Sequence, residues 1–115
     1  MVKELMANLN QAELSLLVNE LGGQSVVADL LSVNRSSVSR WLKKELPDGK
    51  NQMHITALVL ILQRLQIVFE PETARNWLEG TNAYLSHQKP IDLLKQGRIA
   101  EVLAAIEQTE LGSYV

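Results

Sequence analysis

The chain of 115 residues contains no cysteine. This absence excludes disulfides, zinc sites with thiolate ligands and catalysis by a cysteine nucleophile, and it is typical of proteins from a reducing compartment. Proline and glycine are also scarce, with three and six residues. Because these two residues interrupt regular structure, they mark the boundaries of predicted helices and the turns between them.

The sequence also lacks a long hydrophobic run. The most apolar stretch, residues 55–69, is interrupted by Gln63, Arg64 and Gln66, so it is too short and too polar to cross a bilayer. The N-terminus has no basic start followed by an apolar run, and therefore no signal peptide is predicted. We expect a cytoplasmic protein.

Catalytic and cofactor-binding motifs are missing as well. The two histidines, His54 and His87, have no partner at a metal-ligand spacing, and no G-x-S-x-G, P-loop or G-x-G-x-x-G occurs. The sequence therefore predicts that the chain is not an enzyme and that it binds neither a metal nor a cofactor.

What the sequence does contain is a helical pattern without sustained strand alternation. With 46% apolar and 21% charged residues, it predicts an all-α globular protein of one domain, or one domain with a small appendage. Asn10 and Glu13 resemble a capping box, Asn34 is a favourable N-cap, and residues 46–51 favour a turn. The expected helices cover residues 10–21, 24–31, 35–45, 52–69, 71–79, a short segment between 90 and 97, and 98–109.

Charge is distributed unevenly along this net-acidic chain. Residues 24–50 hold five cations and three anions, whereas residues 65–115 hold four cations and seven anions. This asymmetry predicts two kinds of contact surface.

The basic region has the pattern of a helix-turn-helix unit, with two short helices joined by residues 32–34. Small Ala28 permits a close crossing, and Val38, Trp41 and Leu42 form an apolar stripe at i, i+3 and i+4. The turn usually carries glycine where this chain has Ser32, which can adopt the required backbone shape at some strain.

On the second helix of this unit, residues 35–45, the face opposite the apolar stripe is predicted to contact DNA. Short hydroxyls would allow close approach to the major groove, Arg40 could bond a guanine edge, and lysines and Arg35 could contact phosphates. A solvated basic face is the alternative. The predicted DNA-binding residues are Gln24, Ser25, Arg35, Ser36, Ser39, Arg40, Lys43 and Lys44.

Few phosphate contacts per chain would give weak binding at physiological salt, so we expect two copies to bind paired half-sites. The apolar helix at residues 52–69 is one candidate for this homodimer contact, and an ordinary core role is the alternative.

The second half resembles the antitoxin family known as MbcA/ParS/Xre. The resemblance rests on Trp77-Leu78, on Asn82 and Leu85, on "KPIDLL" at residues 89–94, and on Gly97. Val102, Leu103, Ile106 and Gly112 continue the pattern, which covers about residues 20–115. The glycine that usually stands a few residues before the proline is missing in "SHQKP".

The resemblance implies that the chain is an antitoxin and that its partner is a toxin with a RES domain, an enzyme that degrades NAD. It also implies that the end segment of the antitoxin occludes the toxin's active site. It also implies binding to operator DNA and repression of its own operon. The implied division is a helix-turn-helix region at 1–50, a connecting or dimerisation helix at 51–69 and a toxin-binding domain at 70–115.

The predicted toxin-binding residues are Tyr84, Lys89, Pro90, Asp92, Leu111, Gly112, Ser113, Tyr114 and Val115. Asp92 could instead be a helix cap, and the apolar side chains Trp77, Leu93, Leu94, Val102 and Ile106 are expected in the core. Tyr114 could insert into a partner pocket, or the tail could fray.

Two other functions remain open on the sequence. A plain helix-turn-helix repressor without a toxin partner explains the basic helix equally well. The other is an adaptor protein whose helix-turn-helix no longer binds DNA. It is supported by Ser32 in the turn, by the modest positive charge of the basic region and by the acidic character of the rest of the chain.

Overall fold

The computed structural model describes residues 2–43 and 45–112, and over these residues it is built from helices. One isolated β-bridge joins Asn82 to Gln88. This architecture confirms the all-α prediction. The helices are α1 (Val2–Leu21), α2 (Gln24–Leu31), α3 (Arg35–Leu42), α4 (Gly49–Val68), α5 (Pro71–Glu79), α6 (Pro90–Lys95) and α7 (Ile99–Gly112), with a 3-10 turn at Ala83–Leu85 between α5 and α6.

Helix α1 begins at Val2, and the capping box predicted at Asn10 and Glu13 is wrong. Residues 2–9 contain no glycine or proline and consist mainly of good helix formers, so the helix continues upstream. Asn10 is buried within the helix, and its Nδ2 donates to the carbonyl oxygen of Met6 at 3.0 Å. This bond satisfies the buried amide from within the same helix.

Helix α2 has the predicted bounds, and α3 starts after Asn34 as predicted. The Asn34 side chain makes no capping hydrogen bond. Helix α3 ends at Leu42, three residues before the predicted end, because the N–H groups of Lys43 and Glu45 both turn back to the carbonyl of Arg40, at 3.0 and 3.3 Å.

Helix α4 begins at Gly49, so the turn predicted over residues 46–51 is too long. The Asp48 carboxylate accepts a hydrogen bond from the N–H of Asn51 at 2.9 Å. A carboxylate that bonds a first-turn amide is a typical N-cap, and it starts the helix three residues earlier than predicted.

The chain divides into two compact units, residues 1–59 and 60–115. In the first unit α1, α2 and α3 pack against one another. Because α4 begins in the first unit and ends in the second, it supplies apolar residues to both cores. The core of the first unit contains Leu14, Leu17, Val27, Leu30, Leu31, Val38, Ile55 and Leu58.

In the second unit α6 packs on α5 and on α7, and the 3-10 turn packs on α7. Its core contains Ile61, Leu62, Leu65, Ala74, Leu78, Leu85, Leu93, Leu94, Val102, Ala105 and Ile106. This burial confirms the core role predicted for Leu93, Leu94, Val102 and Ile106, whereas Trp77 is half-buried.

Helix α7 extends to Gly112, three residues past the predicted end at 109. The first residues of the predicted tail are therefore helical, and residues 113–115 lie outside the described part of the chain. Arg64 of α4 bonds the Glu110 carboxylate through Nη2, at 2.9 Å to Oε1 and 3.1 Å to Oε2. This ion pair holds the last turn of α7 in the second unit.

Among the described residues, no single helix has the length and hydropathy needed to span a membrane. Helices α4 and α5 reach that threshold only when taken together, and the chain bends by 119° between them.

Candidate functional site

The polar side chains of α3 form the first candidate surface. Val38 and Trp41 point into the core with 0% and 8% exposure. Arg35, Ser36, Arg40 and Lys43 are exposed, and Ser39 is half-buried. At the start of α2, Ser25 is exposed and Gln24 is half-buried. Lys44, the remaining predicted DNA contact, lies outside the described residues.

The connection between α2 and α3 depends on Ser32. This residue ends α2 in the left-handed region, with φ 56° and ψ 44°. Its N–H donates to Asp29 O at 3.2 Å, and the N–H of Val33 donates to Ala28 O at 2.9 Å. These two hydrogen bonds close a short connection between α2 and α3, in which Ser32 takes the left-handed conformation that glycine usually adopts.

Arg40, the predicted base-reading residue, is engaged within the chain. Its Nε donates to Glu45 Oε2 at 3.0 Å, and its Nη2 donates to Ser37 Oγ at 3.2 Å. The ion-paired side chains of Arg40 and Glu45 are 55% and 59% exposed. The sequence did not predict this pair, because residues five apart are not neighbours on the surface of the helix expected over residues 35–45.

The second candidate surface is an open groove beside α6. Its lining includes Lys89 and Asp92, both predicted as toxin contacts, together with His87 and Lys95. The structure thus brings two predicted residues to one place and adds two that the sequence analysis did not select. Pro90 begins α6 and is buried.

The loop before α6 shapes this groove without the expected glycine. Ser86 and His87 both adopt positive φ, at 57° and 63°. The N–H of His87 donates to Asn82 O at 2.8 Å, and the side chain of Asn82 accepts the N–H of Tyr84 at 2.9 Å. Ser86 and His87 therefore adopt, without glycine, the left-handed backbone conformation that glycine adopts at low cost.

Tyr84 is 55% exposed and lies in a shallow depression with Arg98 and Glu101. Gln88 borders both this depression and the α6 groove. The predicted contact Tyr84 therefore adjoins the surface that contains Lys89 and Asp92.

Asp92 lies in the first turn of α6, and its side chain is exposed. Its role as a toxin contact and its alternative role as a helix cap both stay predictions.

The end of α7 supplies the remaining described candidates. Leu111 is 55% exposed, and Gly112 is exposed at the last helical position. The predicted contacts Ser113, Tyr114 and Val115 lie outside the described residues.

In the depression beside Tyr84, Arg98 forms an ion pair with Glu101, with Nη2 and Oε2 2.6 Å apart. The hydrogen bond from Arg98 lowers the pKa of the Glu101 carboxyl, and the same bond raises the pKa of Arg98. Within the described residues, no group of three His, Asp or Glu side chains is placed to hold a metal ion.

No protein-family model matches the chain. A relative, the mycobacterial cidal antitoxin MbcA of Mycobacterium tuberculosis, is 30% identical over 90 residues, which cover 77% of this chain and 80% of the relative. MbcA of Mycobacterium bovis matches to the same extent. The chain belongs to the MbcA antitoxin family. The resemblance found in the sequence is thereby confirmed.

A solved structure of an MbcA family complex extends this likeness to the fold. The chain matches one chain of the M. tuberculosis MbcT-MbcA toxin-antitoxin complex with a TM-score of 0.76 and 28% identity, over 91% of this chain and 96% of that one. The match covers most of both compact units. Membership of the MbcA antitoxin family also confirms the prediction that the chain is not an enzyme.

Proposed function

We propose that the chain is an antitoxin that binds and neutralises a toxin and that also binds operator DNA to repress its own operon. The observation that carries the proposal is the match over 91% of the chain to a toxin-antitoxin complex, together with the sequence relationship to MbcA. From the resemblance described above, we further propose that the toxin has a RES domain and degrades NAD.

The proposed toxin-binding surface is the α6 groove with its neighbours. Lys89 and Asp92 offer opposite charges in one open groove, and Tyr84 offers a half-exposed aromatic ring beside it. Large amphipathic side chains of this kind are frequent anchors at protein interfaces. The exposed Leu111 at the end of α7 supports a second contact, from which residues 113–115 would reach the toxin's active site.

The decisive experiment is co-expression with the product of the neighbouring gene, followed by purification and an assay of NAD consumption. We expect a stable complex in which NAD loss is suppressed. If the neighbouring protein binds but consumes no NAD, the toxin is of another type. If it neither binds nor acts as a toxin, the antitoxin proposal fails.

The contact residues are tested in the same assay. Lys89→Glu and Asp92→Lys each reverse one charge in the groove, and we expect each to weaken the complex. Lys50→Glu, an exposed charge reversal in the first unit, is the matched control. Deleting residues 112–115 should restore NAD consumption; unchanged inhibition would remove the tail from the proposed mechanism.

The DNA-binding proposal is supported by the exposed polar face of α3 opposite its buried stripe. We propose that α2 and α3 form a helix-turn-helix unit in which Arg40 reads a base edge while Arg35, Lys43 and Lys44 contact phosphates. Gln24, Ser25, Ser36 and Ser39 complete the surface. Two copies would bind paired half-sites in the cytoplasm, as a homodimer within a larger toxin-antitoxin complex.

Replacing both Arg40 and Lys43 with alanine tests this surface by electrophoretic mobility shift with the promoter of the operon. We expect affinity to fall and the salt dependence of binding to become shallower. Unchanged affinity and salt slope would favour the adaptor without DNA binding. DNA binding without any toxin partner would favour the plain repressor.

A further inference from the structure

Arg64 of α4 is joined to the last turn of α7 by a forked contact. Its Nε lies 3.1 Å from Glu110 Oε1, and its Nη2 lies 2.9 Å from Oε1 and 3.1 Å from Oε2 of the same carboxylate. The two residues are 46 positions apart in the chain, whereas the paired Arg98 and Glu101 are three apart. The Arg64–Glu110 pair therefore holds one helix against another, which a pair within one helical turn does not do.

Both side chains of this pair are partly withdrawn from water. Arg64 is 38% exposed and Glu110 is 23% exposed, against 55% and 59% for the two side chains of the Arg40–Glu45 pair. Water and salt screen a partly buried pair less than an exposed one. A planar guanidinium that bonds both carboxylate oxygens also fixes the direction of approach. The pair thus sets the orientation of the last turn of α7 as well as its distance from α4.

The apolar packing of α7 ends before that turn begins. The buried residues of the helix are Val102, Ala105 and Ile106, and none of residues 107–112 is buried. The Oγ1 of Thr109 donates to the carbonyl oxygen of Ala105 at 3.0 Å, but this bond lies within α7. A helix end without buried side chains opens readily. The ion pair therefore ties the last turn to α4 at a point where apolar packing no longer does so.

The residue that this turn exposes is Leu111. It directly follows Glu110 and is 55% exposed. Because successive residues are about 100° apart around a helix, Leu111 projects to one side of the contact when Glu110 faces α4. Fixing the Glu110 carboxylate therefore fixes the direction in which an exposed leucine projects.

We propose that Arg64 is a positioning residue for toxin binding, because it holds Glu110 so that Leu111 is presented to the toxin in one direction. This inference rests on the proposed function, in which the end of α7 contacts the toxin. A side chain that is already ordered loses less entropy on binding than one that is ordered only in the complex. Arg64 thus raises the affinity for the toxin without touching it.

The first test is the affinity of the full-length chain for the product of the neighbouring gene, by calorimetry at a temperature where circular dichroism shows every variant folded. Arg64→Gln and Glu110→Gln each remove the pair, and we expect each to weaken binding about twofold to tenfold, the cost of ordering one side chain. The controls Arg75→Gln and Glu107→Gln make the same changes at exposed positions of the second unit. Unchanged affinity in the first two variants, or an equal loss in the controls, would overturn the proposal.

The double variant R64Q/E110Q separates positioning from direct contact with the toxin. Because both substitutions break the same pair, the double variant should bind no more weakly than the weaker of the two single variants. If the two losses multiply, Arg64 and Glu110 contact the toxin independently and the proposal is wrong.

A role of Arg64 in stability alone is tested in the Leu111→Ala background. That role predicts that Arg64→Gln changes the affinity equally whether Leu111 is present or not. We expect instead that Arg64→Gln weakens toxin binding by the Leu111→Ala chain less than twofold, while it lowers the free energy of unfolding as much as in the unaltered chain. An equal loss of affinity in both backgrounds contradicts the presentation of Leu111.

The conservative variant Arg64→Lys tests whether the direction of the contact matters. Lysine keeps the positive charge but donates as a point charge without a planar fork. We expect an affinity between those of the unaltered chain and Arg64→Gln. An affinity equal to that of Arg64→Gln would agree with positioning by the fork alone, whereas full affinity would show that charge suffices and that the fork does not position Leu111.

Failure of this inference differs from failure of the proposed function. If the unaltered chain does not bind the product of the neighbouring gene, the antitoxin proposal fails and this inference fails with it. If the unaltered chain binds and the variants Arg64→Gln and Glu110→Gln bind equally well, only this inference fails.

Discussion

Arg40 and Glu45 form an ion pair across the end of α3, with Arg40 Nε 3.0 Å from Glu45 Oε2. The guanidinium proposed to read DNA is thus held by a carboxylate of the same chain. Both side chains are largely exposed, and exposed pairs of this kind contribute at most about 1 kcal/mol. If DNA binds this face as proposed, it would displace the pair, and the Glu45 carboxylate would then remain beside the phosphates.

We predict that Glu45→Gln strengthens operator binding. The substitution releases Arg40 and removes one negative charge next to the proposed interface, and 1 kcal/mol or less corresponds to an increase in affinity of up to about fivefold. A mobility-shift titration at several salt concentrations measures the effect. Glu72→Gln, the same charge change at an exposed position of the second unit, is the control. Weaker binding by Glu45→Gln would mean that the pair orients Arg40 for the base.

We predict that Ser32→Gly stabilises the protein by about 1 kcal/mol. Ser32 is held at φ 56°, a conformation that costs an L-residue roughly 1–2 kcal/mol and glycine much less, partly offset by the greater entropy of unfolded glycine. Denaturant unfolding followed by circular dichroism measures the change. Ser15→Gly, at an exposed position inside α1, should instead destabilise by about 0.5 kcal/mol. If both variants lose stability, the Ser32 backbone carries no strain.

We predict that Arg64→Ala lowers the free energy of unfolding by about 1 kcal/mol, because Arg64 donates to both oxygens of a Glu110 carboxylate that is only 23% exposed. The loss should also loosen the last turn of α7, which hydrogen exchange at residues 108–112 would detect. Arg98→Ala removes a more exposed pair three residues apart and should change stability less. Equal losses of stability in the two variants would show that the partial burial of the Arg64–Glu110 pair does not increase its contribution to the free energy of unfolding.

We predict that the carboxyl of Glu101 titrates below its ordinary pKa, because Arg98 donates a hydrogen bond to the charged form. A depressed pKa in the folded state stabilises the fold above the ordinary pKa, and this contribution is lost as the pH falls through the lowered value. A carbon-detected NMR titration measures it, and Arg98→Gln should return the pKa of Glu101 toward its ordinary value. A titration unaffected by Arg98→Gln would contradict the pair.

The sequence predicted the elements that local chemistry specifies. The bounds of α2 were correct because Gly23 and the Ser32 turn enclose a short apolar run, and α5 and α6 begin where Pro71 and Pro90 fix the first turn. The helix ends were less accurate where a cap decided them. Asp48 extends α4 upstream, and the turn at Arg40 shortens α3.

The candidate site was likewise predicted only in part, because the sequence predicts local motifs better than the turns that bring separate residues together. Lys89 and Asp92 belong to one short motif, so the sequence places them together, and their contact with a toxin stays a prediction. His87 lines the same groove, and the positive φ of Ser86 and His87 that shapes this loop was not predicted from the sequence. The pairing of Arg40 with Glu45 requires the chain to turn back after α3, and neither residue type predicts that turn.

The sequence by itself determined the all-α class, the family and most helix positions, because helical periodicity, proline and glycine act over a few residues. Only the tertiary structure decided which apolar face of α1 is buried and which is exposed, because two apolar faces of one helix are distinguished by what packs against them. It likewise decided that Arg64 meets Glu110, since residues 46 positions apart in the chain come together only through packing.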